Sequence, residues 1–266
     1  MHAILNIAVR AARAAGRVAM KSFAQPDQVE VSSKGLHDYV SNIDKACEEV
    51  IISTIKKSYP DHAFLAEESG EHGAKGDYLW VIDPIDGTTN YIRGIPHFCI
   101  SIALTHKGIT QHAVVYDPVR EEMFTASRGA GAQLNGYRIR VGGGKDLDGA
   151  LLATGFPCRM KHLLPEYQAV FNKFFEQTAD IRRAGAAALD LAYVAAGRYD
   201  GFFEAGLKYW DTAAGELLVR EAGGVVTDFG GGTNHNNSGN IVAATPRVLQ
   251  TMVSQMRPLL SASMRK

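Results

Sequence analysis

Apolar residues recur at helical spacing from the start of the chain: Leu5, Ala8, Ala12, Ala15 and Val18 form one stripe, and Arg10, Arg13 and Arg17 form the wet one. This predicts an amphipathic first helix. Pro26 ends it, Val29-Glu30-Val31 reads as a short strand, and a second helix follows, with Ala46, Val50, Ile51 and Ile55 recurring until Tyr59-Pro60. Ser41, with Asp44 three residues on, fits a capping box at its start. Spacing alone favours the cap for Asp44 over a carboxylate facing a site.

The pattern then changes to short apolar runs. Ala63 to Ala66 reads as a strand ending in Glu67-Glu68, and Tyr78 to Ile82 as one ending in Asp83-Pro84-Ile85-Asp86. If the two are parallel neighbours, their carboxyl ends bring Glu67 or Glu68 beside Asp83 and Asp86, where sites gather in α/β sheets. His97 to Leu104, Thr110 to Tyr116, Glu122 to Ala126 and Tyr137 to Val141 predict an antiparallel meander, with turns at His106-Lys107-Gly108 and Asn135-Gly136. Gly142-Gly143-Gly144-Lys145 lacks the glycine spacing of a phosphate loop and reads as a boundary loop between residues 1–145 and 146–266.

Past that boundary, strands and helices alternate. Leu151 to Thr154 reads as a strand, Pro165 to Phe175 as a helix, and Ala186 to Ala196 as an apolar helix entered through Arg182-Arg183. Tyr199 to Phe203 is a strand leading to Glu204; strands at Gly224 to Thr227 and Ile241 to Ala244 and a helix from Pro246 close the chain. Asp211, ahead of Ala213, Ala214, Leu217 and Leu218, is either the N-cap of a helix or a further carboxylate at its positive end. The expected class is layered α/β with mixed sheets, the two halves forming one compact unit with the site where they meet.

Composition narrows the possible partners. Lys plus Arg (28) balances Asp plus Glu (28), which gives no reason to expect direct nucleic-acid binding or attraction to an anionic membrane. No apolar run is long enough to span a bilayer. Cys47, Cys99 and Cys158 are scattered and odd in number, as buried thiols of a reducing compartment would be. A cytoplasmic protein is expected.

The candidate chemistry lies in acids at element ends. In Trp80-Val81-Ile82-Asp83-Pro84-Ile85-Asp86-Gly87-Thr88-Thr89-Asn90, proline restricts the residue before it and fixes its own φ, so both carboxylates sit on a rigid corner. Such a corner suits a hard divalent cation, and equally suits an ordinary solvated Asp-Gly turn. Taken with Glu67-Glu68-Ser69 and with Trp210-Asp211 through Glu221-Ala222-Gly223-Gly224, the stretch resembles the inositol monophosphatase family of magnesium-dependent phosphatases, nearly end to end. Asp38 to Asp44, Gly155-Phe156-Pro157 and Leu189 to Arg198 are similar to its bacterial SuhB-like branch.

The resemblance implies a sugar-phosphatase-like fold. Metal ligands fall on Glu67, Asp83, the Ile85 carbonyl, Asp86 and Asp211, holding magnesium, roughly two or three ions to a site. Glu67, Thr88 and Asp44 take catalytic roles, Thr88 and Asp44 by orienting or deprotonating the attacking water. Phosphate meets Asp86, Gly87, Thr88 and Thr89, and the alcohol meets Gly185, Ala186, Ala187, Glu204 and Asp211, with Arg182 or Arg183 nearby. Ala186 stands where many members carry Thr or Ser, so that hydroxyl is missing. Surface exposure is the alternative role of Glu204. The implied activity is hydrolysis of myo-inositol monophosphate or related polyol phosphates, sensitive to lithium, in a homodimer. A binding role beside RNA polymerase in ribosomal RNA transcription antitermination is the alternative. A bisphosphate or phosphoadenosine specificity is kept open by Arg182 and Arg183.

Overall fold

The computed structural model describes residues 3–25, 30–35, 38–73, 76–158 and 160–265, and gives the backbone alone at 31, 33–35 and 38–40. Helix α1 (Ala3–Phe23) buries Leu5, Ala8, Ala11, Ala12, Ala15, Gly16 and Ala19. The small residues let it lie close on the sheet below: a Cβ on Gly16 would come within 2.6 Å of the Tyr116 ring. The expected strand at 29–31 lies partly outside the described residues, as do Pro26 and Val29. Strand β1 (Val31–Gly35) begins where that expectation ended and pairs antiparallel with β2 (Asp38–Ser41). Helix α2 (Asn42–Lys56) follows, capped by Ser41.

A mixed eight-stranded sheet comes next: β3 (Ala63–Ala66), β4 (Gly70–His72), β5 (Tyr78–Asp86), β6 (Cys99–His106), β7 (Ile109–Asp117), β8 (Glu122–Ser127), β9 (Gly131–Leu134) and β10 (Tyr137–Arg138). Their order is β10-β9-β8-β7-β6-β5-β3-β4. Strands β3 and β5 are parallel, with Ala66 opposite Ile82, so Glu67 emerges beside Asp83. The meander differs from expectation in its last arm. Gly131–Leu134 is a strand that its two flanking glycines disguised, and the partner expected over Tyr137 to Val141 pairs only at Tyr137 and Arg138. Beyond that point Val141 turns away to donate to the Ala222 carbonyl.

The second sheet has five strands: β11 (Leu151–Thr154), β12 (Asp180–Arg182), β13 (Gly201–Glu204), β14 (Val225–Thr227) and β15 (Ile241–Ala244), in the order β12-β11-β13-β15-β14. Strand β11 runs parallel to both neighbours, and β15 antiparallel to both of its own. The short strand β12 takes in Arg182, expected as part of the approach to a helix, and leaves Arg183 to Ala186 as the approach to α5. Helices α3 (Thr88–Ile92), α4 (Leu164–Phe175), α5 (Ala187–Ala195), α6 (Tyr209–Glu221), α7 (His235–Ser238) and α8 (Pro246–Met256), with 3-10 turns at Lys161–Leu163 and Arg257–Leu259, complete the described elements.

Three apolar cores stack these elements into five layers. One core lies under α1 and α2, and one, around Phe174, Phe203 and Met252, lies under α4 and α8. The third joins the sheets through α5 and α6, packing Val81, Val115 and Phe124 against Leu189, Leu191 and Leu218. It draws on both sides of the 142–145 loop. The fold is thus layered α/β with mixed sheets, as expected. Among the described residues no helix is long and apolar enough to cross a membrane.

Candidate active site

A cavity of about 420 Å³ opens where β3, β5 and β13 end and α5 and α6 begin. Its acidic wall depends on an irregularity in β5. In a regular strand, residues three apart point to opposite faces, so Asp83 and Asp86 would diverge. Here Asp83 lies opposite Ser101 and Asp86 opposite Cys99, one extra residue on the β5 side. The bulge returns both carboxylates to the same cavity and accommodates Pro84, which has no N–H for a ladder. The corner foreseen at the end of a strand is therefore a bulge within β5, which continues to Asp86. Ile85 N–H closes the bulge onto Asp83 Oδ1 at 3.0 Å.

Glycine at 87 ends the strand. Its φ of +96° is one that side chains rarely adopt, and a Cβ would come within 3.1 Å of the His97 carbonyl. Helix α3 (Thr88–Ile92) starts there. The Thr88 hydroxyl lies 3.1 Å from Asp44 Oδ1 and 3.1 Å from the Ile85 carbonyl oxygen. Asp44 takes the capping role weighed for it: its Oδ2 accepts from the Ser41 N–H at 2.9 Å as half of a capping box, while Oδ1 accepts from the Thr88 hydroxyl. Asp44 itself stands behind the cavity wall. Asp211 is in the first turn of α6, where Oδ2 accepts from the Lys208 N–H at 2.7 Å. The helix begins at Tyr209, so Asp211 is not its N-cap.

Glu67, Asp83, Asp86 and Asp211 all line the cavity with the Ile85 backbone between them. Burial first, then Glu67, Asp86 and Asp211, hold the Asp83 carboxyl well above its usual range. Asp86 is pushed up to about 6 by burial, against the lowering effect of the Ala188 N–H at 2.7 Å. Crowding acids with no compensating charge is costly, and a hard cation offsets that cost. The donors, carboxylate and carbonyl oxygens, are those magnesium takes. Among the described residues no three Asp, Glu, His or Cys side chains form a ready-made metal cage. Water and phosphate oxygens would complete each shell, as magnesium usually requires.

The opposite wall is mixed. Phe156, Pro157, Cys158 and Met160 face Arg183, Gly185, Ala187 and Glu204. Glu204 presses against the backbone of Gly155, where a Cβ would overlap its carboxyl group. Gly87, Thr88 and Thr89 line the cavity; Ala186, fully buried, and Arg182 do not. Arg182 is exposed and pairs with Asp180 across the end of β12. Phe156, Pro157, Cys158 and Met160 escaped the sequence reading as a wall, although they follow a strand end just as Glu67 does. Asn90 also escaped: its amide donates to the His97 and Ala184 carbonyls at 2.8 and 2.9 Å and ties the 184–185 turn to α3. Asp190 is a third omission. It is the acid of an otherwise apolar α5, 1% exposed, with Oδ1 lacking a hydrogen-bond partner. Burial and then Glu204 raise its pKa well above the ordinary value.

Crowded acids beside a glycine-opened helix, between mixed sheets in five layers, define a class: the metal-dependent phosphatases of layered α/β architecture. Residues 1–260 match the model of the inositol monophosphatase family, and the chain belongs to that family. It is 60% identical over 267 aligned positions, the full length of both chains, to a Salmonella typhimurium protein named Nus factor SuhB. Among solved structures, the extragenic suppressor protein SuhB from Bartonella henselae superposes with a TM-score of 0.94 at 41% identity, covering 96% of this chain and 99% of that one. An inositol monophosphatase from Anabaena gives 0.86 at 38% identity, covering 97% of each.

Proposed function

We propose that the protein is a magnesium-dependent phosphomonoesterase releasing phosphate from myo-inositol monophosphate and related polyol phosphates. The observation that carries this reading is the β5 bulge, which turns Asp83 and Asp86 into one cavity with Glu67 and Asp211. These carboxylates and the Ile85 carbonyl would hold about two or three magnesium ions, whose positive charge would be available to the phosphate and would make a bound water more acidic. Gly87, Thr88 and Thr89 direct the phosphate. Thr88, backed by Asp44, orients the water and takes up its proton through the hydroxyl-carboxylate pair at 3.1 Å. Glu204 accepts hydrogen bonds from the alcohol, and Gly185, Ala187 and Arg183 flank it.

Phosphate release from inositol 1-phosphate, with and without magnesium, tests the reading on native protein and Asp83→Asn. Activity indifferent to both would sink it. Lithium inhibition, a cytoplasmic location and a homodimer are further parts of the proposal. Each is open to a direct assay, localisation or sedimentation measurement.

Full-length similarity to Nus factor SuhB supports a second role, contact with RNA polymerase and its antitermination factors. The charge balance favours protein contact over direct nucleic-acid contact. Capture of RNA polymerase by both native protein and Asp83→Asn would establish a role separate from catalysis; loss of capture in both would remove it.

A further inference from the structure

Asp86 meets the cavity with one oxygen already occupied. Its partner across the β5–β6 ladder is Cys99, the first residue of β6. The Cys99 thiol is wholly buried and donates to Asp86 Oδ2 at 3.7 Å. The Ala188 N–H, from the first turn of α5, donates to the same oxygen at 2.7 Å. Oδ1 takes neither bond. The Ala187 N–H bonds to the same carboxylate, so donors from β6 and from the start of α5 together fix how it is turned.

We propose that Cys99 is a positioning residue for cation binding: with the Ala188 amide it holds Asp86 Oδ2, so that the carboxylate presents the single oxygen Oδ1 to the ion. The inference rests on Asp86 being a magnesium ligand and adds what orients it. A carboxylate free to rotate could chelate with both oxygens or turn away, and either would lose the arrangement shared with Asp83 and Asp211. Partners behind a metal ligand commonly govern affinity by about 10–100-fold. A thiol is a weak donor beside an amide, so its share belongs at or below the low end of that range.

Manganese binding to the metal-free protein, followed by electron paramagnetic resonance, tests this without reference to activity. Cys99→Ala, which removes the donor, should weaken manganese about threefold to tenfold. Cys99→Ser, which restores an O–H, should bind within about twofold of native on the same scale. Cys99→Val keeps the space filled without a donor and should behave like Ala. Melting in chelator shows that each variant is folded. Native affinity in Ala and Val would overturn the role of Cys99. Equal weakening in Ser, Ala and Val would overturn it too, by showing that packing is what matters. Native protein that binds no manganese would overturn the metal reading and this inference together, an outcome distinct from either.

Discussion

The two ends of the cavity are built on different principles. At the acidic end every group is fixed by backbone that cannot slide: Asp83 and Asp86 by a bulge, Glu67 by a parallel ladder, Asp211 by the first turn of a helix. At the other end a loop carrying Phe156, Pro157, Cys158 and Met160 faces Glu204 and Arg183. The first end gathers acids, whose mutual repulsion a bound cation would offset. The second mixes apolar surface, an acid and a base, as recognition of an alcohol requires. Rigidity is thus concentrated where phosphate would be cut, and selection of the alcohol is left to parts that can vary without disturbing the cut.

The largest expected effect tests that division directly. Asp83→Asn would remove a proposed magnesium ligand and one of the crowded acids. Phosphate release should fall on the order of a hundredfold or more, since metal-ion stabilisation is worth several kcal/mol. The same variant should melt higher than native in chelator, because burial and its acidic neighbours penalise the ionised Asp83. A drop in both activity and metal-free melting temperature would show a fold defect instead.

Glu204→Gln should be the next largest and should act on the alcohol alone. Losing a charged acceptor costs about 1.5–3 kcal/mol, or roughly tenfold to a hundredfold in kcat/KM for inositol 1-phosphate. On p-nitrophenyl phosphate, which has no ring hydroxyls, the change should stay within about threefold. Equal losses on both substrates would erase the distinction between the two ends.

Asp190 has Glu204, Asp86 and, acting the other way, Arg183 as charged neighbours, and so touches on both ends. Its folded-state pKa is raised, so the folded protein holds this proton more tightly than the unfolded chain does. Stability is therefore lost as pH rises from the unfolded value near 3.8 through the folded one. Asp190→Asn cannot ionise, and its melting temperature should gain on native as pH goes from 5 to 8. Each pKa unit is worth about 1.4 kcal/mol, or a few degrees in a chain of this size. A gain that does not change with pH would mean that Asp190 has its charge compensated.

Much of the acidic end was legible because its groups are close in sequence or tied by one strand pairing. Residues 83 to 90 form one stretch, and Glu67 follows from two apolar runs lying parallel. The bulge was not legible, since it exists only against β6. The loop wall and Asp190 were missed for a related reason: neither Phe156 nor an acid inside an apolar helix has meaning until β13 and α5 are brought beside β5. In the fold, the short strands β9 and β12 were hidden by flanking glycines and by arginines that look like helix surface.

The two arginines give the finest test of the comparison. Sequence offered Arg182 and Arg183 as equivalent neighbours of the alcohol. Strand β12 separates them: Arg182 is exposed and paired with Asp180, whereas Arg183 lines the cavity with its guanidinium 4.0 Å from the Cys158 thiol. An exposed pair of this kind contributes little, so Arg182→Ala should leave kcat/KM within about twofold. Arg183→Ala removes the positive charge facing Glu204 across the alcohol end and should raise KM for inositol 1-phosphate more than it lowers kcat, because it acts on binding and not on the cut. A larger effect from Arg182 than from Arg183, on either constant, would mean that the alcohol end extends past the cavity wall onto β12.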